Sequence, residues 1–315
     1  MKVVRSLVFL ALFFVAIYLM FISGMGDKPE LPMTAELITL EEVRQHADLN
    51  AEYWTLHDGN AIGKLLANDV VIAFNFQKYP LIGRQTVVRF YEGGWLEGSP
   101  LKGNTLKNRT VAGADLGSGY FYTDGTWHMF TASGDLAFEG KSANVYMKTE
   151  NGLRTIQESV VTDFSENVTL TPPPERDPLG DFRDLYPGDP AFHWHLDRFK
   201  KAWAEQDVNA LTEFYTENAV RIIGSASEAI RGKEEIRDSF VQGFSGESPF
   251  QGSRLDTVVL GYRLLDDQHF CAHGAWVLLD DSGSLLARGQ WGNLYRRCEN
   301  EEVKLVMESS GAMIF

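Results

Sequence analysis

The sequence predicts an α+β chain built from two similar consecutive units, each with three helices in its N-terminal half and a curved antiparallel sheet after them. The first observation behind this is internal repetition. Trp276 matches Trp127, 149 positions earlier, and at that spacing Phe270 matches Phe121, Gly289 matches Gly140, Asn293 matches Asn144 and Tyr295 matches Tyr146. Self-similarity at a fixed offset marks a duplicated architecture. The second is a change of period within each copy, from helical spacing to strand alternation. The third is a Pro-rich, acidic stretch between the copies, which reads as a semi-rigid linker.

In chain order, Lys2 and Arg5 precede an apolar run from Leu7 to Ile22, and Gly24, Gly26 and Asp27 follow it. Extended over residues 7–26 the run holds about 20 residues, enough to cross a hydrocarbon core of roughly 30 Å. Its flanking charges place the N-terminus in the cytoplasm and the rest of the chain outside. A cleaved signal peptide is the competing reading, and it also exports the domains. The expected divisions are a signal-anchor helix at 1–26, a stalk at 27–39, a first domain at 40–165, a linker at 166–190 and a second domain at 191–315.

Residues Leu40 to His57 are helical in pattern, with His46, Asn50 and Trp54 on one face; His195, Phe199 and Trp203 repeat the spacing. Asp58 and Asp207 end this helix and precede a second short one, where a carboxylate caps free amides. A strand follows (Val70–Phe74, Val220–Ile223), then a Gly83 or Gly232 turn opening a third helix. A long strand, a hairpin and a final strand complete each copy (Leu153–Val161 and Val303–Ser310 last).

The hairpin register follows from the Ser133-Gly134 and Ser282-Gly283 pairs, read as two-residue turns. Trp127 then faces Gly140, Trp276 faces Gly289, Asn144 faces Thr123 and Asn293 faces Ala272. Alternation puts Phe121, Trp127, Asn144 and Tyr146 on one face, the interior one, and Asp124, His128, Glu139 and Lys141 on the other. In the last strand Val303, Leu305 and Met307 alternate inward, so Glu308, and with it Glu158, is expected to face solvent.

Composition narrows the function. The net charge is −14 with no Lys/Arg cluster to offset it, which argues against a nucleic-acid partner. Apolar residues make up 44% of the chain, enough for two cores. Cys271 and Cys298 are the only cysteines. The register sets them roughly 13 Å apart along a strand, too far to bond to each other. Neither they nor any other cluster suggests a metal site, and no cofactor is expected. The sequons at Asn108 and Asn167 bear on glycosylation only in a eukaryotic secretory host.

A helix carrying Trp-x-x-x-Asp-x-x-Ala (Trp54, Asp58, Ala61 and Trp203, Asp207, Ala210), a strand, a Gly-[Lys/Arg] turn opening a helix, and then sheet strands: this order resembles the nuclear-transport-factor-2-like superfamily, in particular its SnoaL-like members. The resemblance spans about 40–165 and 190–315. It implies cone-shaped units whose pocket opens between helices and concave sheet, and dimers packed through the sheet. It also implies a range of activities, from ketosteroid isomerase, scytalone dehydratase and limonene-epoxide hydrolase to non-catalytic domains. The catalytic residues of those enzymes do not carry over. Asn50 and Phe199 stand where the isomerase has a tyrosine, Phe74 and Ile223 where it has its base, and Asn144 and Asn293 near its second acid. The epoxide hydrolase's Arg-x-Asp pairing and the dehydratase's histidine pair are missing.

These readings lead to an exported, membrane-tethered tandem protein that binds a small apolar, cyclic molecule. The alternative is a non-catalytic assembly module of a membrane complex. The expected partners are that small molecule, the membrane through residues 7–26, and an intramolecular pseudo-dimer open to higher oligomers. In the first unit the candidate ligand-binding residues are Asn50, Trp54, Thr123, Trp127, Ser142, Asn144 and Tyr146. His46 is either a base at the pocket mouth or a surface or capping group. The second pocket draws on His195, Trp203, Trp276, Asn293 and Tyr295. The tryptophans serve as packing or as pocket walls, and the asparagine amides need a partner from a ligand, a backbone group or water. Because Asn50, Tyr53, Thr123 and Ser142 become Phe199, Ala202, Ala272 and Trp291, the first cavity is expected to be roomier and wetter and the second filled.

Overall fold

The computed structural model describes residues 30–33, 37–99, 101–163, 179, 190–246, 248, 250–299 and 302–314. The expected signal-anchor helix and most of the linker lie outside the described residues. Among those described, no helix is long and apolar enough to cross a membrane. The chain divides into Met1–Leu31 and Pro32–Phe315, and both repeats fall in the second body.

Thr39 starts α1 (Leu40–Thr55) through a capping box with Glu42, which satisfies two amides that the first turn leaves free. His57 then takes a left-handed conformation (φ 58°), as does Gln206 (φ 52°) after the matching helix α4 (Pro190–Ala204). Asp58 and Asp207 cap the next helices, α2 (Gly59–Leu65) and α5 (Val208–Glu213), accepting from Ala61 N at 2.9 Å and Ala210 N at 3.0 Å. The repeat of Trp-x-x-x-Asp therefore encodes a helix stop and a helix start.

The remaining elements of the first unit are β1 (Leu66–Phe74), β2 (Leu81–Ile82), α3 (Arg84–Gly94), β3 (Thr105–Gly117), β4 (Tyr120–Phe130), β5 (Leu136–Thr149) and β6 (Gly152–Asp163). The second has β7 (Tyr215–Ile223), β8 (Ile230–Arg231), α6 (Gly232–Gly243), β9 (Arg254–Leu264), β10 (His269–Leu279), β11 (Leu285–Arg297) and β12 (Val303–Ile314). The sheet orders are identical, β2-β1-β6-β5-β4-β3 and β8-β7-β12-β11-β10-β9. Contrary to the antiparallel expectation the sheets are mixed, since β1 runs parallel to β6 and β7 parallel to β12. The long connection through α3 and the meander lets the first strand dock beside the last in parallel; alternation reveals strands but not their order.

The hairpin register is as the sequence predicts: Trp127 faces Gly140 and Trp276 faces Gly289. The turns are not two-residue turns. Thr131 and Asp280 donate to Asp135 O at 2.8 Å and Ser284 O at 2.9 Å, with Gly134 (φ 91°) and Gly283 (φ 82°) closing three-residue loops. A register shift at Met129/Phe130 and Leu278/Leu279 absorbs the extra residue, so the pairing beyond it is unchanged. The indoles cover these strand glycines closely: a Cβ on Gly289 would collide with the Gly311 carbonyl and lie 2.9 Å from the Trp276 ring. Gly289→Ala is therefore expected to cost about 1–3 kcal/mol or more, visible as a lower unfolding midpoint in urea.

A second irregularity matters more. Tyr146 pairs with Thr155 and Val145 with Gln157; Tyr295 pairs with Leu305 and Leu294 with Met307. One residue is thus inserted in each last strand, a bulge that inverts the alternation beyond it. Leu305 belongs to the cone interior, but Met307 packs with Val145, Val161, Val220 and Leu294 in a cluster shared by both sheets. Glu158 and Glu308 consequently turn into the cones and not toward solvent.

Between the two sheets, that cluster is joined by polar contacts. Ser309 Oγ donates to Ser159 Oγ at 2.9 Å, Gln157 Nε2 to Asn293 O at 3.4 Å, and Arg263 pairs with Asp69 at 2.9 Å. Asp124, which the alternation assigns to the outer face, is buried there against Arg231.

Candidate functional site

The first cone encloses a cavity of about 430 Å³. Helix α1 presents His46, Asn50 and Trp54 to it, and the sheet presents Thr123, Trp127, Ser142, Asn144 and Tyr146, so every residue singled out in the first unit lines one space. Phe74, Phe90, Tyr91 and Val160 complete a largely apolar wall. His46 is buried, with Nε2 3.0 Å from Thr155 Oγ1 and its ring edge-on to Tyr146 at 5.3 Å. Burial, helped by the charge of Arg154, pushes its pKa down to about 3. It is therefore a neutral wall group at physiological pH, neither a surface cap nor a base poised near neutrality. Asn144 donates Nδ2 to Ser142 Oγ at 3.2 Å.

Glu158 is the group that the sequence reading placed wrongly. Its carboxyl enters the cavity beside Tyr91 and Tyr146, whose own pKa values are raised first by burial and then by the Glu158 charge. Among the described residues it has no hydrogen-bond partner and no countercharge. Its partial exposure is to the cavity, and desolvation pushes its pKa up to about 7. The duplicated residue shows the opposite arrangement. Glu308 accepts from Arg221 Nε at 2.9 Å and from the Tyr215 hydroxyl, all three being buried. In the matching sheet positions the first cone has Ile72 against Glu158 where the second has Arg221 against Glu308. Leu66 likewise pairs with Thr155 where Tyr215 pairs with Leu305. One fold thus holds two equivalent carboxylates, one neutralised and one left alone in an apolar pocket.

The second cavity, about 760 Å³, is larger than the first, which overturns the expectation that Phe199 and Trp291 fill it. Both residues line it, as do His195, Trp203, Trp276, Asn293 and Tyr295. Trp291 lies against the wall, its Nε1 donating to Thr257 Oγ1 at 2.9 Å, and so bounds the space instead of plugging it. The Asn293 amide is satisfied within the fold, donating to Tyr295 Oη at 3.0 Å and accepting from Ser309 N at 3.0 Å. Burial, with the charge of Arg198 secondary, pulls the His195 pKa down to about 4. Cys271 and Cys298 are free thiols, Cys271 buried.

Comparison with known proteins gives a family match over residues 195–278, to the model described as a SnoaL-like domain. No curated protein matches the chain. Among solved structures it is similar to an NTF-2 like protein of unknown function from Shewanella oneidensis, at 15% identity over 38% of this chain and 96% of that one, TM-score 0.33. A ketosteroid isomerase-like protein from Erwinia carotovora matches at 13% identity over 39% and 94%, TM-score 0.33. A putative calcium/calmodulin dependent protein kinase II association domain from Xanthomonas campestris matches at 17% over 42% and 94%, TM-score 0.35. The family match lies in the second cone, and the strand order found there repeats in the first, so the chain is a tandem of two similar α+β units of which the second matches a SnoaL-like domain.

Proposed function

We propose that the first cone binds a small, predominantly apolar cyclic molecule and that Glu158 moves a proton on it, in an isomerase, dehydratase or hydrolase type of reaction. The observation that carries this reading is the lone carboxylate in an apolar cavity whose duplicate has been neutralised. A group titrating near neutrality both accepts and returns a proton at low cost. Tyr91 and Tyr146, held neutral by burial, supply hydroxyl donors nearby for an oxygen that gains charge. Asn144 orients the ligand through its amide. Tethering of the cones outside a membrane through residues 7–26 belongs to the same proposal and rests on the apolar run alone.

The test is solvent deuterium exchange into a panel of neutral cyclic ketones and lactones, followed by proton NMR. Wild-type protein is expected to catalyse exchange next to the carbonyl of a bound member, and Glu158→Gln to bind it without exchange. Equal exchange rates in the two proteins would remove the role of Glu158. Asn144→Leu is expected to weaken ligand binding by at least tenfold, about 1.4 kcal/mol, while leaving the circular dichroism spectrum unchanged. Calorimetric titration with a ketone identified in that panel measures it.

A further inference from the structure

The connection from β1 to β2, residues 75–80, carries Phe76, which is 38% exposed and also lines the first cavity, so it stands at the rim. Its ring packs on Phe74 at 5.1 Å, and Phe74 packs on Phe90 at 5.4 Å. A half-exposed aromatic on a surface connection is placed only as firmly as the backbone on either side of it. Here that backbone is held from the second repeat. Before Phe76, the buried Asn75 amide donates to Ala312 O at 3.3 Å as well as to Thr162 O at 3.1 Å, and it accepts from Thr162 N at 3.1 Å. After Phe76, Gln77 O accepts from the buried Gln290 Nε2 at 2.7 Å, and Gln77 N closes the turn on Phe74 O at 3.1 Å.

The duplicate connection is not held in this way. Positions 224–227 read Gly-Ser-Ala-Ser where 75–78 read Asn-Phe-Gln-Lys, and among the described residues no hydrogen bond joins them to the first repeat. The residues opposite are exchanged too. Gln290 pairs with Gly311 in its sheet, and the duplicate Lys141 pairs with Val161. A Cβ on Gly311 would collide with Asn75, so only glycine there admits the Asn75 amide, whereas a Cβ on Gly224 would lie 3.7 Å from the Val161 side chain. Lys141 turns instead to Asp163 at 3.0 Å, and a polar cleft of about 380 Å³ opens among Lys141, Asp163 and residues 224–227. Of two equivalent connections, one is docked on the other repeat, and it is the one that carries an aromatic ring to a cavity. A rim group discriminates between ligands only when it keeps its place, since a mobile one re-packs around each of them.

We propose that Phe76 selects the ligand of the first cavity by size, gripping a second fused ring that a monocyclic molecule lacks, and that Gln290 of the second repeat is the positioning residue that holds it there. This role presupposes ligand binding by the first cone and is independent of Glu158.

The test follows two neutral ketones, cyclohexanone and 2-tetralone, into the full chain labelled with carbon-13 at the threonine methyls. Thr123 and Thr155 line the first cavity and not the second, so their shifts report binding in the first cone alone. Wild type is expected to bind 2-tetralone the more tightly. Phe76→Ala, and Gln290→Met, which keeps the packing of the side chain and removes its donor, are each expected to lower that preference by about tenfold, the scale of a lost apolar contact in a pocket. Hydrogen exchange read by mass spectrometry is expected to be about tenfold faster over residues 75–80 in Gln290→Met than in wild type, and unchanged over 224–229. Unchanged exchange over 75–80, or faster exchange with the ketone preference intact, overturns the proposal and leaves ligand binding by the first cone standing. If neither ketone shifts Thr123 or Thr155 in wild type, ligand binding itself is contradicted and the proposal falls with it. Should Gln290→Met lose its near-ultraviolet circular dichroism, Gln290→Asn, which keeps an amide but withdraws it by one methylene, decides between the same outcomes.

Discussion

Arg221→Ile, which places in the second cone the residue type that the first carries at Ile72, is expected to lower global stability by about 3–5 kcal/mol. The magnitude comes from what remains behind. Glu308 is buried, and without Arg221 its only described partner is the Tyr215 hydroxyl. A buried carboxylate stripped of its countercharge either stays ionised at high cost or takes up a proton. The Arg221→Ile/Glu308→Gln double variant removes both charges and is expected to regain most of the loss, because the intact pair itself contributes little net stability once desolvation is counted. Urea unfolding of the wild type, both single variants and the double variant measures the coupling. A single variant as stable as wild type would mean that Glu308 is not held as an ion by Arg221.

The first cone makes the complementary prediction. Glu158 has a folded pKa of about 7 against an ordinary value of 4.5. Below pH 4.5 the group is protonated in both states and carries no penalty. Between 4.5 and 7 the unfolded chain ionises while the folded chain keeps its proton, so stability falls as pH rises. Above 7 the full penalty stands, roughly 3 kcal/mol at 1.36 kcal/mol per pH unit. Glu158→Gln is therefore expected to match wild type near pH 4 and to exceed its stability by up to roughly 3 kcal/mol at pH 8. His46 works in the opposite direction. Its pKa of about 3 lies below the ordinary 6.5, so its stabilising contribution is lost as pH falls from 6.5 through 3. It is present in both proteins and cancels in their difference. Denaturant midpoints of the two proteins across this range read the effect directly.

Much of the architecture is legible in the residues because the duplication supplies an internal check. Trp127/Gly140 and Trp276/Gly289 fix the hairpin registers, and the aspartates at 58 and 207 fix the helix ends. The residues expected on the cavity wall were found by the same alternation in β4 and β5. That alternation fails in β6 and β12, because a single inserted residue between Thr155 and Gln157, or between Leu305 and Met307, reverses the faces beyond it. Nothing in the local composition of Ile156-Gln157 or Val306-Met307 announces a bulge. The available signal was the recurrence of Glu158-Ser159 as Glu308-Ser309, an acidic residue repeated at the matched position of both last strands. Cavity volume was illegible for a different reason. It depends on how far helix and sheet stand apart, and residue size at Phe199 and Trp291 records only what lines the space.

The asymmetry between the two glutamates is the centre of this account, and carboxyl carbon NMR tests it most directly. With glutamate labelled at the side-chain carboxyl, a pH titration of the full chain is expected to show one resonance with a midpoint near 7 that vanishes in Glu158→Gln and persists in Glu308→Gln. A spectrum in which every glutamate titrates below pH 5.5, or in which the resonance near 7 survives Glu158→Gln, would contradict it.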